Sequence, residues 1–403
     1  MEVALRILAA VVIGYLLGSL SPAYILGRIL KGIDIRRAGN MNAGTRNVWK
    51  TLGTWPAVIT AVIDTTKGVA AMLVCTRLVG LPAVLAAIPA AAAVAGHIFP
   101  FYMGFRGGKG TATAIGIFIY VTAVDIFLGI FSPVTFIALL ITAGIFFAAS
   151  RNGDATGIAA FVFMLAAFPA EMAAHGLPPW GPRGEAALAA GICVFLIAYV
   201  SATAAARGTF RLEKKVEIKV WRIIARPFAL LFIPIDILWG RRVLLLVVGA
   251  VSLAVIAIDV YRFLSTRSFS VFFKASEARR FSSMTYFLVA AFVSFLVFPS
   301  EIPYLTLAFA SMGDLGGKLI GLRFGRTVLH RTKTLEGALA FFSSGCMTAF
   351  IISRLVPSPL LFVILGAAFA SVVEVYFDLL DDNFSVPLVS GGLLLALRYF
   401  LAI

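Results

Sequence analysis

The sequence predicts an all-α, polytopic membrane protein built as two helical membrane domains of about seven transmembrane helices each. Three observations carry this. Residues are 61% hydrophobic and only 13% charged, whereas soluble domains carry about a quarter charged residues. Apolar stretches of spanning length, about 20 residues, recur from end to end, with about fourteen candidates in all. Lys and Arg gather in alternate connections between those stretches. A net charge of +15 so distributed points to membrane orientation and to anionic lipid or phosphate ligands, not to nucleic acid.

Taken in order, the first span is predicted over 4–26 as one retained helix, because Arg6 is its only basic residue and no polar cleavage stretch follows. Further spans include 54–76, 82–103, 133–149, 187–206, 243–263, 283–299 and 386–402. The connection 27–53 carries Arg28, Lys31, Arg36, Arg37, Arg46 and Lys50. Connections 104–110, 150–154 and 207–222 are basic too, whereas those near 78–82, 131–133 and 171–186 are poor in Lys and Arg. This alternation places the N-terminus outside and the four basic connections in the cytoplasm. The segment 207–222, "RGTFRLEKKVEIKVWR", reads as a cytoplasmic linker with Trp221 at the membrane surface. It divides the chain into membrane domains 1–206 and 223–403, which share no internal repeat. Cys75, Cys193 and Cys346 lie in apolar stretches without ligand spacing and read as packing residues.

Polar motifs of the first domain fall on one membrane side. They are the run 18–53, with Asn40, Asn42, Asn47 and Lys50; Asp64 and Lys67 in "DTTKG"; His97 in "GHIFP"; and "GFRGGKG", with Arg106, Gly107, Gly108, Lys109 and Gly110. Ionisable groups in or beside a span are costly unless they face a polar cavity. Glycines allow backbone N–H groups to approach an anion, the next helix N-terminus adds partial positive charge, and Arg106 and Lys109 add full charges. The expected ligand is therefore a phosphate group. A Walker A loop is excluded, because Gly110 rather than Ser or Thr follows Lys109.

These blocks, in this order, resemble the membrane acyl-phosphate:glycerol-3-phosphate acyltransferase family of bacterial phospholipid synthesis, over roughly residues 10–212. The resemblance implies a helical fold with a cytoplasm-facing site in the inner (plasma) membrane. The implied reaction passes an acyl group from acyl phosphate to glycerol 3-phosphate, giving lysophosphatidic acid, with no cofactor. Lys109, Arg106 and His97 are the implied catalytic residues, with the substrate bound by Asn40, Asn42, Asn47, Lys50, Asp64, Lys67, Gly107, Gly108 and Gly110. The sequence departs from the family pattern in having Asn40 for a serine, Lys50 for an arginine, Asp154 where a hydroxyl is usual, and no His in "AARGTFRL" (205–212).

In the second domain three blocks stand at span ends: "MGDLGGKLIGLRFGR" (312–326), "RTKTLEGALAFF" (331–342) and "EVYFDLLDDNFSVPLVSGG" (374–392). Asp314, Glu336, Asp381 and Asp382 are expected to converge with Lys333, Arg323 and Arg326. Carboxylates beside cations suit magnesium-bound phosphates. The motifs resemble the dolichol kinase and phytol kinase family, which includes CTP-dependent diacylglycerol kinases, over roughly 216–403; "AIDVYR" (257–262) resembles its upstream element. The resemblance implies phosphoryl transfer from CTP with Mg2+ to a lipid alcohol. Catalysis would fall to Asp314 and Lys333, substrate binding to Arg323, Arg326, Glu336 and Asn383, and the metal to Asp314, Asp381 and Asp382. Alternative readings are a chain with one catalytic and one degenerate half, and a lipid-phosphate transporter or flippase.

Overall fold

The structure is a computed structural model that describes residues 2–177, 185–206, 227–264, 280–299, 301–377 and 379–401. The predicted linker 207–222 and the 178–184 turn lie outside the described residues. The chain forms two compact units: Met1–Pro133 with Glu171–Ala198, and Val134–Ala170 with Tyr199–Ile403.

The protein is all-α and polytopic. Eight helices among the described residues are long and apolar enough to cross a membrane, and five shorter apolar helices accompany them. The expected single span over 4–26 is instead broken. Helix α1 runs Glu2–Ser19 and α2 runs Pro22–Lys31. Pro22 has no N–H to continue the ladder, and Ser21 before it is extended (φ −115°, ψ 91°). The break is held from outside. Tyr102 Oη donates to Ser19 O (2.9 Å) and accepts from Ser21 N (3.0 Å), and Lys67 Nζ donates to Leu20 O (2.8 Å).

The first unit continues with α3 (Thr45–Leu52), α4 (Thr54–Arg77), α5 (Ala87–Ile98) and α6 (Thr111–Phe127). Helices α1 and α5 pack at close range through small residues: a Cβ at Gly14 would stand 2.5 Å from Pro89 O, and one at Gly18 would overlap Ala93. In a bilayer such approach replaces the hydrophobic drive that lipid cannot supply.

In the second unit come α7 (Pro133–Ser150, entering at Val134), α8 (Gly153–Ala174, to Ala170), α10 (Phe232–Trp239), α11 (Arg241–Leu264), α12 (Ser283–Val297) and α13 (Ile302–Ala308). Helix α9 (Glu185–Ala206) starts in the first unit. A π-turn over Phe309–Gly313 leads into α14 (Asp314–Phe324), then a two-stranded antiparallel ribbon of β1 (Val328–His330) and β2 (Lys333–Thr334). Three helices complete the unit: α15 (Leu335–Leu355), α16 (Leu360–Tyr376) and α17 (Asp382–Leu401). The centre is α15, with 72% of its apolar window buried against 22–39% for the other long helices. Phe309, Phe341 and Phe362 are fully enclosed around it. The ribbon, not anticipated from sequence, carries Lys333.

Candidate functional sites

In the first unit, Asp64 and Lys67 lie one turn apart on α4 and are 1% and 4% exposed. Lys67 Nζ stands 2.8 Å from Asp64 Oδ1, and His97 Nδ1 stands 3.4 Å from the same oxygen and 3.4 Å from Thr113 Oγ1. Three ionisable side chains thus share one buried pocket, each partnered, as burial of charge requires. His97 is 6% exposed and closes the end of α5.

The Gly-rich stretch folds onto this cluster. After Pro100 the chain makes a 3-10 turn over Phe101–Met103, then two successive left-handed residues, Gly104 (φ 64°) and Phe105 (φ 56°). Left-handed backbone at a non-glycine residue costs about 1 kcal/mol and persists only where the surroundings hold it. The N–H groups of Gly107 and Gly108 donate to Ile98 O (2.8 Å) and His97 O (3.1 Å). This corrects the expectation that they would face an anion. The glycines are needed for packing instead: a Cβ at Gly108 would overlap His97 Nε2 and stand 2.5 Å from Ala43 O, and one at Gly107 would stand 2.5 Å from Pro100 Cδ. Gly110 is left-handed (φ 76°) and opens α6. Arg106 is exposed and Lys109 half-buried, so the loop has these two cations, and not the amides of Gly107 and Gly108, to offer an anion.

The facing segment, 34–44, is braced from within. Asn47, expected to bind substrate, is fully buried; its Nδ2 donates to Ile35 O, Ala38 O and Asn42 O at 2.8–3.0 Å, and its Oδ1 accepts from Asn40 N (2.9 Å). It shapes the loop. Asn40 and Lys50 are exposed and Asn42 half-buried. Asp34 and Arg36 form a two-pronged pair, with Asp34 Oδ1 to Arg36 Nε at 3.0 Å and Oδ2 to Nη2 at 2.8 Å. Those hydrogen bonds, outweighing partial burial, hold the Asp34 carboxyl below the usual carboxylate range and Arg36 above its own.

In the second unit, carboxylate oxygens of Asp314, Glu374 and Asp382 all lie within 4.8 Å of one another. The π-turn before α14 puts Asp314 at its first residue, the end of α16 supplies Glu374 and the start of α17 supplies Asp382. Lys333 Nζ, delivered by β2, pairs with Glu374 Oε1 and with Asp382 Oδ2 (3.1 Å), and Lys318 Nζ reaches Asp314 Oδ1 at 2.7 Å. Burial works against the charge on Lys333, but Glu374 and Asp382 more than offset it and raise its pKa.

Of the residues expected to converge, Asp314, Asp382 and Lys333 come together, whereas Glu336 and Asp381 are engaged elsewhere. Glu336 turns to its own corner, accepting from Arg326 N (2.9 Å) and Thr327 N (3.1 Å), with Arg326 Nε at 3.5 Å. From the second position of α15 it satisfies the backbone amides of the loop that follows α14. Asp381 Oδ1 accepts from Asn383 N (3.1 Å) and Nδ2 (2.6 Å), a local cap for α17, and the carboxylates that gather are Asp314, Glu374 and Asp382. Asn383 Nδ2 also reaches Asp382 Oδ1 (2.9 Å), and Arg323 lies 5.7 Å from the Phe324 ring. Glu374 was missed; its only sequence signal is a lone carboxylate in the last turn of an apolar helix. In "AIDVYR", Asp259 is fully buried, pairs with Arg262 (2.9 Å) and accepts from Ser282 N (2.7 Å) and Thr285 Oγ1 (2.6 Å), tying α11 to the start of α12.

Comparison with known proteins bears on the N-terminal half of the chain. A sequence profile of the glycerol-3-phosphate acyltransferases matches residues 8–208. The glycerol-3-phosphate acyltransferase of Shouchella clausii is 46% identical over 112 residues, 28% of this chain and 55% of that protein. That of Synechococcus elongatus is 37% identical over 168 residues, 40% of this chain and 77% of that protein. A solved structure of PlsY, an integral membrane glycerol 3-phosphate acyltransferase, is 30% identical with a TM-score of 0.37, covering 50% of this chain and 90% of that one. The chain spans only 55–57% of the length of the first curated relatives. With the profile matched over 8–208 and 77% of the Synechococcus protein spanned, the chain belongs to the glycerol-3-phosphate acyltransferase family.

Proposed function

We propose that the family region, residues 8–208, transfers an acyl group from acyl phosphate to glycerol 3-phosphate, giving lysophosphatidic acid at the cytoplasmic face of a bacterial plasma membrane. The observation that carries this is the loop 104–110: two cations, Arg106 and Lys109, on a glycine-packed turn seated on the buried Asp64–Lys67–His97 cluster, within a chain of this family. A hydroxyl oxygen of glycerol 3-phosphate forms the new ester bond to the acyl carbon, the bond from that carbon to the phosphate oxygen breaks, and the released phosphate takes the hydroxyl proton. Both reactants are phosphates, so Lys109, Arg106 and the exposed Lys50 act by holding charge and stabilising it as it moves to the leaving phosphate. His97, buried and boxed by Asp64, Thr113 and Gly108, positions the loop. The orientation rests on the clustering of Lys and Arg in alternate connections.

For the second unit the reading is a CTP-dependent kinase of a lipid alcohol. Three convergent carboxylates with Lys333 and Lys318 beside them support it. Oxygen donors of this kind fit a hard divalent cation, so Asp314, Glu374 and Asp382 would hold magnesium. Bound there, Mg2+ would neutralise nucleotide phosphate charge. The lysines balance the carboxylates and present charge to a transferring phosphoryl group.

Purified protein in detergent, supplied with acyl phosphate and glycerol 3-phosphate, should form lysophosphatidic acid, and Lys109→Ala should lower the rate at least 100-fold. Wild-type activity that survives Lys109→Ala would defeat the role given to Lys109, and no product from wild type would defeat the acyltransferase reading. Labelled CTP with lipid alcohols tests the kinase in the same preparation.

A further inference from the structure

We infer that Arg36 is a positioning residue of the acyl-transfer site: its guanidinium locks the strained turn that carries Arg106 and Lys109. This rests on the acyltransferase reading of the first unit. Arg36 Nη1 donates to Met103 O (2.6 Å) and Arg106 O (2.9 Å). Those two carbonyls flank Gly104 and Phe105, the pair of successive left-handed residues. A turn of that kind does not keep its shape unaided, and Phe105, exposed, gains little from packing. The guanidinium closes the turn as one rigid clip, joining carbonyls three residues apart.

The clip is itself fixed. Asp34 takes Nε and Nη2 in a fork and accepts the Arg36 backbone N–H (3.0 Å), while the Tyr24 ring lies under the guanidinium at 5.2 Å. Four of the five guanidinium N–H groups are thereby committed, to Asp34, Met103 and Arg106. Little of Arg36 is left for a substrate phosphate. Its effect on the reaction runs through the loop, from the 34–44 segment to the cation-bearing turn. Lysine cannot replace it: one ammonium cannot serve the carboxylate fork and two carbonyls in fixed directions.

The test uses the full chain with Arg36→Lys, Arg36→Ala and Arg106→Ala, alone and combined. Arg36→Lys should raise KM for glycerol 3-phosphate or acyl phosphate about tenfold or more with a smaller change in kcat. In an Arg106→Ala background the same substitution should add a clearly smaller factor, because one of the two cations on the turn it positions is gone. Amide hydrogen exchange over 103–108 should speed at least tenfold in Arg36→Lys while α4 and α5 hold their wild-type rates. Fully additive KM effects, or unchanged exchange over 103–108, overturn the inference. A wild-type protein without acyl transfer defeats the acyltransferase reading instead, and the exchange measurement then decides by itself whether Arg36 holds the turn.

Discussion

Replacing Lys67 by methionine removes the cation from a buried pair while nearly keeping its volume. Asp64, 1% exposed, would then keep only the His97 contact at 3.4 Å, and Leu20 O would lose its donor at the α1–α2 break. Stripping one partner from a buried ion pair costs about 3–5 kcal/mol, because the remaining charge is left desolvated. For a unit of this size, each kcal/mol moves the thermal midpoint by about 2–4 °C. The expected fall is therefore about 6–20 °C, read by thermal unfolding in detergent. Adding Asp64→Leu to Lys67→Met removes the orphaned charge and should restore at least half of the loss. A midpoint within about 2 °C of wild type for Lys67→Met, or a double variant no more stable than the single one, would refute the view that Asp64 is ionised and held by Lys67.

Three further outcomes follow from the geometry. Gly108→Ala should cost about 1–3 kcal/mol of stability by overpacking and lower acyl transfer about 100-fold through loop displacement, since its Cβ would meet His97 and the Ala43 carbonyl; retained activity would contradict that fit. Removing divalent cations with a chelator should abolish transfer from CTP and spare acyl transfer, and Asp382→Asn should do likewise; loss of both activities on chelation would contradict separate sites. The Asp34 carboxyl has a folded pKa below its ordinary 3.8, so its stabilisation is present above that value and is lost as pH falls through the folded pKa. Exchange protection of the 103–106 turn should therefore hold from pH 7 to about 4 and drop below, and Asp34→Asn should remove that acid-side step.

Much of this protein was legible in one dimension. Membrane character, helix content and the position of most spans follow from hydropathy, because a bilayer accepts only backbone whose hydrogen bonds close locally. The cations of the first site were legible as well, since Arg106 and Lys109 stand out in a chain this apolar. The sequence also brought out Asp314, Asp382 and Lys333. What it could not supply was direction. Whether a glycine offers its N–H to a ligand or to a neighbouring carbonyl depends on what packs against it, and Gly107 and Gly108 are turned to the end of α5. Asn47 and Glu336 look like ligands in a motif and become braces in space, because unpaired backbone groups lie within reach. Glu374 and Arg36 run the other way, undistinguished in sequence until the chain returns and places Asp382 beside one and the 103–106 carbonyls beside the other. Residue type and spacing set which chemistries are available; tertiary contacts decide which polar groups are already satisfied, and only the remainder can act on a substrate.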